Sequence, residues 1–204
     1  HKEYNVTVMP RDPEKCVVAS YEFEVDDVYD AGHEERCLVD RSGKGRDARI
    51  MGQAVIDGKL NLTANTPDGF WTNGYLILPQ GLLDSLRSYT VVAVVNPSSL
   101  DVQPRLYDFG SSSGNSVFLR LSECAAGMKY NAGTTTLVMS SEQPQIGRDQ
   151  LMAVTYDAVT HQTCVYIDGK LTASENTIVN EPRSLTFISP DSRNYVGRSQ
   201  WWDS

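Results

Sequence analysis

No stretch of the 204-residue chain approaches the ~20 consecutive apolar residues that a membrane-spanning helix needs, so insertion as a helix is excluded. No signal-peptide pattern opens it either, so an exported protein would already have shed its leader. The chain has no Lys/Arg cluster; 18 basic residues face 26 acidic ones, a net charge of −8 that repels nucleic-acid phosphates and anionic membranes. Cysteine is sparse. Cys16, Cys37, Cys124 and Cys164 lie far apart, without a C-x-x-C pair or zinc-type spacing. Three two-disulfide connectivities and four buried thiols all remain open, with the thiols favoured because a core of this size needs no covalent staples. Helical periodicity is almost absent. The one segment that carries it, residues 81–88, offers two turns at most.

What recurs instead is period two. In "VVASYEFEV" at 17–25, Val17, Ala19, Tyr21, Phe23 and Val25 share one face and Glu22 and Glu24 the other. "YLILP", "SYTVVAVVN", "RLYDFG", "SVFLRLS", "TLVMS", "LMAVTYD", "TCVYIDG", "KLTAS", "LTFIS" and "NYVG" follow, separated by Gly-, Asn-, Asp- and Ser-rich turns. Many short strands and no crossover helices imply an all-β fold, an antiparallel two-sheet jelly-roll sandwich. Asp168-Gly169 supplies the positive φ of a type I′ hairpin turn between two of these strands. Residues 1–15 read as a linker or the tail of a preceding domain, because Pro10, Pro13 and the charges around them interrupt the short alternation of Tyr4, Val6 and Val8. Residues 16–204 form the main domain.

Several motifs fail on context. "GSSSG" at 110–114 has the spacing of a nucleophile elbow, but a strand follows it where a helix is required, making Ser112 a hairpin residue. "GKGRDA" at 43–48 has no βαβ unit around it. "DRSGKGRDARIM" half-matches a calcium loop with Asp40 first, yet Met51 stands where a bidentate Glu belongs, so a turn stabilised by Asp40 is the better reading.

The order "YEFE", "DRSGKGRDARIMGQAVIDGKLNL", "GYLILP", "SYTVVAVVNPSSL", "RLYDFG", "LMAVTYDAVTHQTCVYIDGKLTAS", "NYVGRS" resembles the laminin-G-like, concanavalin A-like lectin/glucanase jelly-roll domains of secreted bacterial carbohydrate-active proteins, over about residues 17–200. "KEYNVTVMP" is similar to the last strand of small immunoglobulin-like modules that precede such domains. The resemblance implies a secreted, periplasmic or cell-surface location and neighbouring domains in a longer chain. It also implies a final strand after the "GRS" segment, which this sequence does not contain, and a structural calcium, for which Asp26, Asp27 and Asp40 are the candidates. Binding would otherwise need no cofactor. Glucanases of the fold carry E-x-D-x-x-E on one strand; here Glu24 and Asp26 match, but Tyr29 occupies the position of the second acid.

Sugar-binding modules stack aromatic rings on sugar faces and bond hydroxyls with flanking polar groups. "NTPDGFWTNGY" has that mixture in Trp71, Asn73 and Tyr75. The chain's other two tryptophans, Trp201 and Trp202, sit in the last four residues beside Arg198 and Gln200. Their rings either contact sugar or pack on the domain body or a neighbour. The reading is a non-catalytic carbohydrate-binding or accessory module of a glycoside hydrolase-type protein, with glycan and adjacent domains as partners. Its alternatives are a structural module packing on a neighbouring domain and a glucanase-like hydrolase.

Overall fold

Alternation along the chain resolves into fifteen short strands in a computed structural model that describes residues 16–63, 65, 73–84, 86–101, 103–130, 134–176, 185–188 and 193–201. They are β1 (Val28–Asp30), β2 (Arg36–Leu38), β3 (Ala48–Met51), β4 (Val55–Ile56), β5 (Leu60–Asn61), β6 (Tyr75–Leu78), β7 (Tyr89–Val95) and β8 (Arg105–Ser112). After them come β9 (Asn115–Arg120), β10 (Ala125–Tyr130), β11 (Thr134–Met139), β12 (Gln150–Asp157), β13 (Gln162–Ile167), β14 (Lys170–Asn176) and β15 (Arg193–Val196). Every pairing is antiparallel. Nine strands form one sheet in the order β1-β2-β3-β6-β15-β8-β9-β10-β11, four form a second in the order β14-β13-β12-β7, and β4-β5 is a separate hairpin. The expected all-β jelly-roll sandwich is therefore what the chain adopts, and among the described residues no helix is long and apolar enough to cross a membrane.

The core lies between the two sheets. Leu38, Ile50, Leu76, Tyr107, Val117 and Leu119 face it from the large sheet, and Met152, Val154, Tyr156 and Val165 from the small one. Burial along β12 alternates with period two over all eight residues, as a half-buried strand requires. The last strand in sequence, β15, inserts between β6 and β8 near the middle of the large sheet, and Asn194 Nδ2 donates to Pro79 O at 2.8 Å across 115 residues. Asp168 and Gly169 both adopt positive φ, 51° and 78°, between paired Ile167 and Lys170, so the expected hairpin forms. Ser112 pairs with Asn115 across the β8–β9 hairpin, as expected for a turn residue.

Three expectations are corrected. Residues 17–25 do not join a ladder: Val18, Ala19, Tyr21 and Phe23 pack on the core, but side chains and a turn satisfy part of the backbone in place of a neighbouring strand. Arg41 N donates to Ser20 O at 2.8 Å, and Lys44 Nζ donates to Val17 O. Among the described residues of 81–88 the backbone forms turns and bends rather than a helix, and Leu82 and Leu83 are both buried. Leu185–Ile188 is a 3-10 turn, not a strand. The segment at 1–15 lies outside the described residues.

The turn between β2 and β3 is built on Asp40. Its carboxylate accepts from Ser20 N (2.9 Å), Ser42 N (2.9 Å), Ser42 Oγ (2.7 Å) and Arg46 N (3.1 Å), while its own N–H donates to Asp47 Oδ1 (2.8 Å). Burial alone would raise the Asp40 pKa; the hydrogen bonds from Ser42, Ser20 and Arg46 together outweigh it and hold the carboxyl below its usual range. A depressed carboxylate stabilises the fold above its unfolded pKa, and that contribution is lost as pH falls through the folded value. Asp40→Ala is expected to cost about 2 kcal/mol in urea unfolding at neutral pH. The gap from wild type should narrow as the titration is repeated at progressively lower pH.

Candidate functional site

One face of the nine-stranded sheet looks into the core and the other outward. Because side chains alternate along a strand, the outward positions follow from the core-facing ones. Register then lines up one unbroken row across all nine strands: Tyr29, Cys37, Arg49, Ile77, Tyr195, Asp108, Phe118, Gly127 and Leu137. Directly opposed residues are the contacts that stabilise a sheet face. A carboxylate at the centre of such a row, 0 % exposed, needs partners.

Asp108 finds them in the loop after β15. Gly197, at φ 78°, turns the chain back over the face, and its N–H donates to Leu106 O at 3.2 Å. Gln200 N donates to Asp108 Oδ2 at 3.1 Å and Ser199 Oγ to the same oxygen at 3.4 Å. The Gln200 side-chain amide donates to Asp108 O at 3.2 Å and also to Arg193 O. Arg105 lies 3.8 Å from Asp108 Oδ2. A register irregularity between Arg105 and Tyr107 matters here, because strict alternation would send both toward the core. Instead the Arg105 guanidinium lies 4.7 Å from the centroid of Phe118 and 5.6 Å from that of Trp201.

This anchoring decides where Trp201 goes. Its N–H donates to Ser199 Oγ at 3.1 Å, and its ring meets Phe118 edge-on at 5.8 Å and 84°. Lys129 Nζ sits 4.4 Å from the indole centroid. The ring thus packs on the domain body and remains half-buried. Gly127 lies under Phe118, and a Cβ there would come within 2.1 Å of the Phe118 ring. Two strands away, Tyr75 and Tyr195 meet edge-on at 5.6 Å and 87°. Arg198, from the same loop, lies 4.4 Å over Tyr75 and 5.7 Å from Tyr195.

The sequence-derived candidates divide accordingly. Tyr75, Arg198 and Trp201 come together on this face, and Asn73 is half-buried two residues before Tyr75. Asn65 brackets the loop before it by donating to Gly74 O (2.9 Å) and accepting from Gly74 N (2.6 Å). Trp71 and Trp202 lie outside the described residues. Asp108, Arg105, Phe118, Lys129 and Tyr195 were not singled out as site residues. The available signal was a lone Asp inside the apolar run "RLYDFG", a charge with no business in a buried strand unless something pairs with it.

The three candidate calcium ligands have different surroundings. Asp26 is exposed, Asp27 is buried and accepts from the Arg41 guanidinium, and Asp40 is engaged by the four donors described above. Among the described residues no three His, Cys, Asp or Glu side chains are grouped to hold a metal ion. Glu22 and Glu24 are exposed, and all four cysteines are free thiols.

An antiparallel sandwich with this strand order and an aromatic outward face is of the jelly-roll class. The chain belongs to the concanavalin A-like lectin/glucanases superfamily, whose profile matches residues 68–204. Among solved structures it is similar to domain 4 of AbnA, an extracellular GH43 arabinanase from Geobacillus stearothermophilus, in complex with arabinotriose. That match has 17% identity and a TM-score of 0.51 and covers 83% of this chain and 69% of that one. It is also similar to the CBM40 of Ruminococcus gnavus IT-sialidase bound to α2,3-sialyllactose, at 14% identity and TM-score 0.48 over 64% and 80% of the two chains. A SAP-like pentraxin from Limulus polyphemus matches at 14% identity and TM-score 0.42 over 60% and 56%. No curated protein matches the chain.

Burial pushes the Asp108 carboxyl up to about 6, against the opposing pull of the Gln200 N–H and Arg105. A raised carboxyl binds its proton more tightly in the folded state, so it favours folding below the unfolded pKa and that contribution fades as pH rises through the folded value. Relative to Asp108→Asn, which cannot ionise, wild-type stability is expected to fall by roughly 2 kcal/mol between pH 4 and pH 7, measured by denaturant titration at each pH. Gly127→Val should displace the Phe118 ring, cost about 1–3 kcal/mol and raise acrylamide quenching of Trp201 in a protein whose other two tryptophans are replaced by phenylalanine.

Proposed function

We propose that the chain is a non-catalytic glycan-binding module and that the outward face of its nine-stranded sheet is the binding surface. The observation that carries this reading is the convergence of Tyr75, Tyr195 and Arg198 with Phe118, Trp201, Arg105 and Lys129 on one face of a lectin/glucanase-type sandwich. Strands hold Tyr75, Tyr195 and Phe118, the loop after β15 holds Trp201 and Arg198, and long polar side chains lie among the rings, the combination that suits a ligand rich in polar groups. Trp71, Asn73 and Trp202 are proposed as flanking contacts. The fold neighbour that holds arabinotriose supports the reading at the level of architecture alone.

In this reading the module serves an extracellular, periplasmic or cell-surface glycoside hydrolase-type protein and orients neighbouring domains. It assigns no catalytic residue, since Tyr29 stands where the second acid of a glucanase pair would be. A second reading, a module that packs on a neighbouring domain, draws on the small sheet. There Val92, Val94, Leu151 and Leu171 are 57, 70, 44 and 50% exposed, and Leu151 pairs with Val94.

Affinity electrophoresis in gels cast with plant and host polysaccharides separates the two. The expected result is saturable retardation that Tyr75→Ala or Trp201→Ala weakens at least tenfold, about 1.4 kcal/mol, and that EDTA leaves unchanged. Absence of retardation across the panel, or retardation that both variants keep, contradicts the glycan-binding reading.

A further inference from the structure

The charge on the outward face runs against that of the whole protein. The chain is acidic, at −8, yet Arg49, Arg105, Arg120, Lys129, Arg193 and Arg198 all stand on or against this face. Among the described residues of its strands, the outward positions contribute one carboxylate, the buried Asp108. Glu35 reaches Arg49 at 3.2 Å, Glu123 reaches Arg120 and Asp47 accepts from the Tyr29 hydroxyl from outside the strands, so among the described residues six cations meet four carboxylates on this face.

The cations are also placed where a neutral sugar would stack. Arg198 lies over Tyr75 and Lys129 over Trp201, each at 4.4 Å and within cation–π range, while Arg105 lies 4.7 Å over Phe118, which is buried beneath. A pyranose that stacks on an aromatic ring needs the ring face that such a cation occupies. A guanidinium lying on a ring keeps its N–H groups at its own edge, directed away from the ring and spaced for two parallel bonds to a carboxylate or sulfate. Tyr75 stands on β6 and Lys129 on β10, four strands apart, which at the usual strand spacing is about 19 Å. One monosaccharide does not span that.

We infer that the ligand of this face is an acidic polysaccharide segment, whose carboxylate or sulfate groups are bound by Arg198 and Lys129 on their aromatic supports. The inference rests on the glycan-binding reading and narrows it. The anion selects the ligand, and the rings hold the two cations in place and shield them from water.

Affinity gels containing polygalacturonate, dextran sulfate, neutral linear arabinan or poly-L-glutamate test it with the intact chain. Retardation by polygalacturonate or dextran sulfate is expected to exceed that by arabinan at least tenfold. Whichever of the two acts alone identifies the anionic group. Lys129→Gln/Arg198→Gln should lose that excess while keeping the wild-type melting temperature and circular dichroism. Retardation by arabinan as strong as by the acidic polymers overturns the inference and leaves the glycan-binding reading standing. Equal retardation by poly-L-glutamate overturns it in favour of charge alone, and so does a double variant that binds like wild type. No retardation by any polysaccharide removes both.

Discussion

The outward face depends on one buried carboxylate. Asp108 sits at the middle of a nine-strand row, fully removed from water, and a charge there is tolerated only because Arg105 and the 199–200 backbone and side chains converge on it. Those partners come from two places. Arg105 is turned outward by a register shift in its strand, and residues 199–201 are carried over the sheet by the turn at Gly197. The same contacts set Trp201 on Phe118 and bring Arg198 over Tyr75. A single desolvated group thus ties the loop to the sheet and orders two aromatic–cation clusters at once.

This arrangement is costly by itself. Burial opposes the ionised form of Asp108, and Arg105 is likewise pushed below its ordinary pKa by burial, against the pull of Asp108. A well-packed apolar pair would hold the two elements together with less electrostatic opposition. What the ion pair adds is direction: it fixes which face the loop covers and at what register, because no other position in the row offers a carboxylate.

Much of the fold was legible in the sequence because its main signal is local. Alternation marks β7, β12 and β13, and Asp168-Gly169 specifies its own hairpin. Where alternation misled, the missing information was a partner. Residues 17–25 have the pattern of a strand, but a ladder needs a second chain segment, and no described strand supplies one. Strand β10 escaped notice for the opposite reason. Ala125, Ala126 and Gly127 carry little β signal, and the segment is a strand because β9 and β11 flank it on both sides. Of the site, Tyr75, Arg198 and Trp201 could be picked out as aromatic and polar residues in loops or at strand ends. Their convergence could not, since it depends on β15 inserting between β6 and β8 and on the buried Asp108. Among the acidic residues close in sequence, Asp40 anchors a turn, Asp27 pairs with Arg41 and Asp26 is exposed, roles that sequence proximity alone does not distinguish.

The proposed binding surface is the outward face of the nine-stranded sheet, over the loop that Asp108 anchors. The most direct measurement is a ¹H–¹⁵N correlation spectrum of the labelled chain titrated in turn with trigalacturonate and arabinotriose. Saturable shifts of the Trp201 indole N–H and of the Tyr195, Arg198 and Lys129 amides, with the small sheet unmoved, are expected. Shifts confined to the Val92, Val94, Leu151 and Leu171 surface, or a spectrum that neither sugar alters, would contradict it.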